Sequence, residues 1–336
     1  MIPIEFPTLY FFLTNPSYFR HALNSPPKIY FAPFQGITTH LFREVYARHF
    51  SGADKLFTPY FSNFEAGSKL PPKQLAALKN QSEHGVEVVP QILSKNADEI
   101  LWLAKNCEEL GFKELNWNLG CPYPQVANKK RGSGILPYPE MVNEILEKVF
   151  KEIKIDFSIK CRLGYASADE LDRLIPIFNR YSISELTIHA RIGKQLYSGQ
   201  PDMDAFAEAI SLIKAPLAYN GDIFRPEDWR IFSKRFPSIH LLMLGRGILR
   251  NPFLPAQIKG LELPDNPQAT VYQFVDELYM AIRHERNDNP SVLNAMKEYW
   301  LYLCEYFDEP VKVFRKIRKA KNFGDYEEAV ADIFER

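Results

Sequence analysis

Eight short runs rich in β-branched and aromatic residues recur along the chain, separated by longer stretches with apolar residues at helical spacing. In order they are Lys28 to Phe34, Lys55 to Phe61, Val86 to Leu93, Lys113 to Leu119, Phe157 to Arg162, Glu185 to His189, Pro216 to Asn220 and His240 to Gly245. Strands that alternate with helices run parallel, because each helix returns the chain to the same end of the sheet. Eight such units predict an α/β fold closed as a TIM (β/α)8 barrel. The intervening stretches agree. Between Ala97 and Leu110, residues Ile100, Leu101, Ala104, Cys107 and Leu110 fall near one face, and Asp98 and Glu99 occupy the first turn, where the helix dipole favours acids.

The alternation stops after Pro252, and from about Gln268 the pattern is helical: Val271 to Arg283, Val292 to Tyr306, Val311 to Lys321 and Tyr326 to Phe334. Leu261 to Asn266 reads as a linker. The expected organisation is an N-terminal extension (1–27), a barrel domain (28–260) and a small C-terminal helical domain (267–336). The stretch from Ile2 to Leu23 is aromatic, but Pro3, Pro7 and Pro16 interrupt it and no basic segment precedes it, so it reads as a packed extension rather than a signal peptide.

Composition sets outer bounds. A chain of 336 residues with 46% hydrophobic and 24% charged content can bury a large core. Lys plus Arg equals Asp plus Glu at 41 each, so nucleic-acid binding would have to come from local clusters. The four cysteines, Cys107, Cys121, Cys161 and Cys304, form no C-x-x-C pair or disulfide spacing, which points to a reducing compartment and no structural metal. No window approaches the roughly 20 apolar residues of a membrane span. A cytoplasmic, monomeric protein with no metal and no membrane partner is expected.

In a barrel of this kind, function gathers where strands end. Polar residues stand at the ends of seven of the eight runs. The fourth ends in Asn116-Trp117-Asn118-Leu119-Gly120-Cys121-Pro122, bringing an amide and a thiol to one mouth. A buried structural cysteine is the bland reading of Cys121; its place just beyond a strand, between Gly and Pro, favours chemistry. The fifth run carries Lys160 and Cys161, which alternation sends to opposite faces. A lysine inside a barrel calls for an electron-rich partner, so Lys160 reads as a ligand and Cys161 as filler, with a Schiff-base lysine as the competing chemistry. His189 and Arg191 follow the sixth run, Asn220-Gly221-Asp222 the seventh and Gly245-Arg246-Gly247 the eighth, where phosphates commonly bind in this fold. Gly221 reads as a point of close backbone approach to a ligand. The inventory suits a phosphorylated planar cofactor with a reacting ring beside it.

The ordered motifs resemble those of the tRNA dihydrouridine synthases, from about Ile29 through the helical tail: Ala32-Pro33-Phe34-Gln35-Gly36, Asn118-Leu119-Gly120-Cys121-Pro122, Lys130-Arg131-Gly132-Ser133-Gly134, Ile159-Lys160-Cys161-Arg162, His189-Ala190-Arg191, Asn220-Gly221-Asp222 and Gly245-Arg246-Gly247. Ala190-Arg191-Ile192 departs from the family's usual Gly-Arg-Thr. The resemblance implies FMN across the barrel mouth, with Pro33, Phe34 and Gln35 along the ring, Gln91, Lys160 and His189 on its polar edge, and Asn220, Gly221, Asp222, Gly245 and Arg246 around the ribityl chain and phosphate. It implies NADPH as reductant, hydride transfer from FMN to C6 of a tRNA uracil, a proton from Cys121 to C5, and Asn118 orienting the base. The base would be turned out of its stack, with Tyr123 or Tyr60 against it.

Lys312, Arg315, Lys316, Arg318, Lys319 and Lys321 crowd one stretch of the tail. A solvated helix face is the bland reading; beside the barrel motifs, Arg315, Lys316 and Lys319 are expected to contact tRNA phosphates, with Lys297 and Arg191 as further substrate contacts. Met296 to Leu303 resembles the tail of the bacterial C-type subfamily, which implies tRNA position 16. The rival readings are an FMN barrel acting on a small molecule, such as a dihydroorotate dehydrogenase or an ene-reductase, a non-catalytic tRNA-binding barrel, and a Lys160 aldolase.

Overall fold

The computed structural model describes residues 26–335, so the expected N-terminal extension lies almost wholly outside the described residues. Eight parallel strands close a barrel: β1 (Lys28–Phe31), β2 (Lys55–Phe57), β3 (Val86–Val89 and Gln91–Ile92), β4 (Glu114–Leu119), β5 (Asp156–Gly164), β6 (Leu186–Ile192), β7 (Leu217–Asn220) and β8 (Leu241–Leu244). β8 pairs back onto β1, with Lys28 opposite Leu241. Proline at position 90 divides β3, since it offers no N–H to a neighbour. The first half pairs with β2, Lys55 opposite Glu87, and the second with β4, Gln91 opposite Asn116.

The first two strands end earlier than their apolar runs suggest. β1 stops at Phe31 rather than Phe34 and β2 at Phe57 rather than Phe61, because Pro33 and Pro59 follow and cannot donate to the ladder. Their remaining residues become loops at the mouth. β5 runs longer than expected, to Gly164, with a register shift against β6 between Arg162 and Gly164.

The crossover helices include α1 (His40–His49), α2 (Ala97–Glu109), α3 (Pro139–Glu152), α4 (Glu170–Phe178), α5 (Met203–Leu212), α6 (Pro226–Arg235) and the short α7 (Arg246–Arg250). After a short helix at Leu254–Lys259, the tail consists of α8 (Pro267–Glu285), α9 (Ser291–Leu303), α10 (Pro310–Lys319) and α11 (Phe323–Phe334). α8 starts where Asn266 Oδ1 accepts from Ala269 N at 3.0 Å and Pro267 fills the first turn, where its missing N–H costs nothing. It docks on α1 through aromatic edges, Phe274 lying 5.7 Å from Phe42 and 5.0 Å from Phe50, with Tyr299 of α9 5.4 Å from Phe42. One continuous apolar core therefore spans barrel and tail.

Strand alternation sorts β4 to β6 cleanly. Leu115, Trp117, Leu119, Ile159, Cys161 and Ile188 are buried in the apolar layer under the helices. Glu114, Asn116, Asn118, Ser158, Lys160, Thr187 and His189 occupy the alternate positions and make the interior of this half of the barrel polar. The rest of the interior is a small apolar cluster of Tyr30, Ala32, Phe57, Val89, Ala218 and Met243.

Candidate active site

The loops after the strands enclose a cavity of about 580 Å³ at the C-terminal mouth. Pro33, Phe34, Gln35, Gln91, Lys160, His189, Asn220, Gly221, Asp222, Gly245 and Arg246 all line it, as do Asn118 and Cys121. The helical tail closes one wall with Glu298, Leu301, Tyr302 and Glu305; the Tyr302 ring meets Phe34 edge-on at 5.8 Å.

Lys160 is half-buried on the cavity wall. Its Nζ donates to Asn220 Oδ1 at 2.7 Å, and Asn220 Nδ2 in turn donates to Met243 O at 2.7 Å. Burial, aided by the nearby charge of Arg162, pulls the Lys160 ammonium down to about 7. His189 lies 3.2 Å from an Arg191 nitrogen; burial first, then Arg162, Lys160, Arg191 and Arg246, lower it well below its ordinary range and keep the imidazole neutral. Cys161 is fully buried behind the sheet, where burial pushes its thiol up to about 12.

Cys121 is 8% exposed, and it opens onto the cavity. Asn118 Oδ1 accepts from the Gly120 and Cys121 backbone N–H groups, both at 2.9 Å. From the other side, Ser133 N and Oγ donate to Cys121 O at 3.0 and 3.1 Å. Gly132 makes that approach possible: its φ is +56°, and a Cβ there would lie 2.5 Å from Cys121 O. Burial raises the Cys121 thiol, opposed by the Tyr123 backbone, the Tyr60 hydroxyl and the charges of Arg162 and Lys160. Tyr60, on the same cavity wall, thus acts on the protonation of the thiol, a role that a stacking tyrosine need not have. Arg162, seen in the sequence only as part of a motif, bridges two loops by donating to Gly120 O at 3.0 Å, Ile192 O at 2.8 Å and Leu196 O at 2.7 Å.

Several expected roles change. Arg191 is 1% exposed and does not face the cavity; its donors go to Asp222 at 3.0 and 2.6 Å and to the carbonyls of Ser198 and Gly199 at 3.3 and 2.7 Å, which leaves it a bracket rather than a substrate contact. Asp222 also accepts from Arg246 at 2.6 Å. Burial would raise the Asp222 carboxyl, but the two arginines win and hold it low. Gly221 and Gly245 are required by protein packing, since a Cβ would strike the Tyr219 hydroxyl at 2.0 Å in the first case and the Phe34 ring at 2.9 Å in the second. In the tail, Lys297 Nζ donates to Ala320 O at 2.5 Å, capping the end of α10, and Lys316 pairs with Asp332 at 2.6 Å. Arg315 and Lys319 are exposed.

The mouth fits a flat anionic group. It has an apolar wall at Phe34 and Tyr302, amides at Gln91 and Asn118, and the cations Lys160 and Arg246 at separate stations, in a volume ordinary for a small-molecule site. Among the described residues, no group of three or more His, Cys, Asp or Glu side chains could hold a metal ion, and no helix is long and apolar enough to cross a membrane.

Fold and mouth together define a (β/α)8 barrel enzyme with a cofactor-sized site and a thiol at its edge. Residues 30–334 match the family described as dihydrouridine synthase (Dus), and the chain belongs to that family. It is 30% identical over 231 residues to tRNA-dihydrouridine synthase B of Pasteurella multocida (strain Pm70), covering 68% of this chain and 67% of the relative. It is 24% identical over 305 residues to the tRNA-dihydrouridine(16) synthase of Neisseria meningitidis serogroup A, covering 88% and 91%. Histamine dehydrogenase from Rhizobium sp. 4-9 shares the fold, with a TM-score of 0.52 at 11% identity over 81% of this chain and 51% of that one.

Proposed function

We propose that this protein reduces a uridine of tRNA to 5,6-dihydrouridine, using FMN held at the barrel mouth and NADPH as reductant. The observation that carries the reading is that Cys121 and Lys160 open onto one cavity in a chain of this family. Bound flavin would supply the hydride for C6 of the uracil ring. Lys160 and Arg246 would hold its anionic parts, with Pro33, Phe34, Gln35, Gln91, His189, Asn220, Gly221, Asp222 and Gly245 around the remainder.

Cys121 delivers the proton to C5. Its raised thiol keeps that proton at neutral pH, as an acid must, and the Tyr60 hydroxyl is placed to take up the charge left behind. Asn118 commits one amide hydrogen to Gln91 and keeps the other for the base. The helical unit 267–336 binds the tRNA backbone through Arg315 and Lys319 on its exposed face. The tail segment Met296 to Leu303, with the name of the Neisseria relative, supports position 16 as the target. We place the protein in the cytoplasm as a monomer, where its substrate is.

The test is the visible spectrum of purified protein supplied with FMN, without oxygen. A yellow protein that bleaches with NADPH and regains colour on adding unmodified tRNA supports the reading. Colour recovery with quinones or enones but not tRNA would move the protein to small-molecule reduction, and a protein that binds no FMN would remove the flavin.

A further inference from the structure

One hydrogen-bonded column runs through the polar half of the barrel interior. At its floor, Lys55 Nζ and Ser158 Oγ donate to the two oxygens of Glu114. Ser158 Oγ accepts from Asn116 Nδ2 at 2.7 Å, Asn116 Oδ1 from Gln91 Nε2 at 2.8 Å, and Gln91 Oε1 from Asn118 Nδ2 at 2.6 Å. At the top, Asn118 Oδ1 receives the backbone N–H groups of Gly120 and Cys121. Four steps along β4, about 13 Å at the rise of a strand, separate the carboxylate from Asn118.

Every link points the same way. A carboxylate only accepts and a backbone N–H only donates, so the two ends of the column demand one polarity. Ser158 spends its proton on Glu114 and can then only accept from Asn116; each amide above it has one orientation that satisfies both neighbours. Gln91, Asn116, Ser158, Glu114 and Asn118 are all buried, the last the most exposed at 7%, and Asn116 and Ser158 lie below the cavity, so water is not at hand to rescue a reversed link there.

We propose that this column positions the Cys121 loop, making Glu114, at the opposite end of the barrel interior, a positioning residue for Cys121 and Asn118. Its catalytic consequence rests on the reading of Cys121 as the acid; the ordering of the loop does not. Glu114→Gln reverses the polarity at the floor. The Lys55 ammonium takes the single amide oxygen, which turns the NH2 toward Ser158; Ser158 Oγ then either accepts from both sides and leaves its own proton without an acceptor, or turns that proton on Asn116 and forces the amides above it to reverse. Ser158→Ala cuts the column while leaving the Glu114–Lys55 pair in place, and so serves if the first variant folds poorly.

The experiment is hydrogen–deuterium exchange of the full-length protein without tRNA, read by mass spectrometry on a peptide covering residues 118–123, with the α2 peptide as reference. Both variants are expected to exchange the Gly120 and Cys121 amides about tenfold faster, the size of one lost buried hydrogen bond, with α2 unchanged. In turnover, kcat for dihydrouridine falls while KM for tRNA holds. Unchanged exchange in both variants overturns the proposal, as does acceleration spread evenly over the barrel, which would make Glu114 and Ser158 supports of the fold alone. Faster exchange with unchanged kcat overturns the catalytic consequence. Faster exchange in a protein that never reduces tRNA sinks the function and leaves the positioning standing.

Discussion

Lys160 on β5 and Asn220 on β7 meet across the intervening strand, the lysine Nζ donating to the amide oxygen at 2.7 Å. The contact holds an ammonium against the cavity that burial has drawn from about 10.5 to about 7. Unfolding restores the ordinary value. Between about 7 and 10.5 the unfolded chain therefore keeps a proton that the folded chain has released, and stability of the flavin-free protein rises with pH over that window. Below about 7 both states are protonated and the dependence disappears. Urea unfolding of the wild type against Lys160→Met, across that range, reads the difference; a flat difference would mean that Lys160 is not desolvated. FMN affinity should fall as pH rises through about 7 in the wild type and stay flat, and weaker, in the variant.

Tyr60 and Cys121 give a second pH prediction. The thiol is raised overall, so turnover, which needs it protonated, is lost only on the alkaline side. The Tyr60 hydroxyl works against that rise by stabilising the thiolate. Tyr60→Phe should move the alkaline limb further up and slow iodoacetamide alkylation of Cys121 at a fixed pH. A limb that moves down would place Tyr60 elsewhere in the mechanism.

Arg191 is predicted to matter for folding rather than for RNA. Removing it in Arg191→Ala leaves Asp222 with one partner in place of two, at a cost of about 3 kcal/mol in urea unfolding. Arg191→Lys should recover little, because one ammonium cannot span both carboxylate oxygens and two carbonyls. A loss below about 0.5 kcal/mol, as at an ordinary surface site, would refute the bracket.

The exposed cations of α10 should behave as phosphate contacts. Arg315→Ala and Lys319→Ala are each expected to weaken tRNA binding and to reduce the salt slope by about one, and to leave FMN binding unchanged. Lys316→Ala, whose ammonium already serves Asp332, should change the slope less. Filter binding between low and moderate salt measures all three; slopes equal to wild type would move the RNA to another face.

Much of the barrel was legible because its signals are local. Eight apolar runs of strand length, and the opposite fates of Lys160 and Cys161, follow from alternation alone, and the ordered motifs at strand ends marked one mouth. The apolar runs overshoot the strands where Pro33 and Pro59 stop the ladder but not the run. What stayed hidden depends on partners far along the chain. Glu114, Asn116 and Ser158 read as three scattered polar residues until the fold sets Ser158 beside both of the others, more than forty residues away. Arg191 and Lys297 looked available because nothing local shows that the carbonyls of Gly199 and Ala320 consume them. Gly221 and Gly245 line the cavity, and nothing local shows that Tyr219 and Phe34 also forbid a side chain there.

The central claim, that this mouth reduces uridine with Cys121 as the acid, is tested most directly by mass spectrometry of nuclease-digested tRNA. Unmodified transcript would be incubated with NADPH and either wild-type protein or Cys121→Ala, both loaded with FMN. A gain of two hydrogens on a single D-loop uridine is expected with the wild type, and none with a variant that still binds FMN and is still bleached by NADPH. Equal product from the variant would remove Cys121 from the reaction, and no product from a yellow, NADPH-reducible wild type would contradict the function itself.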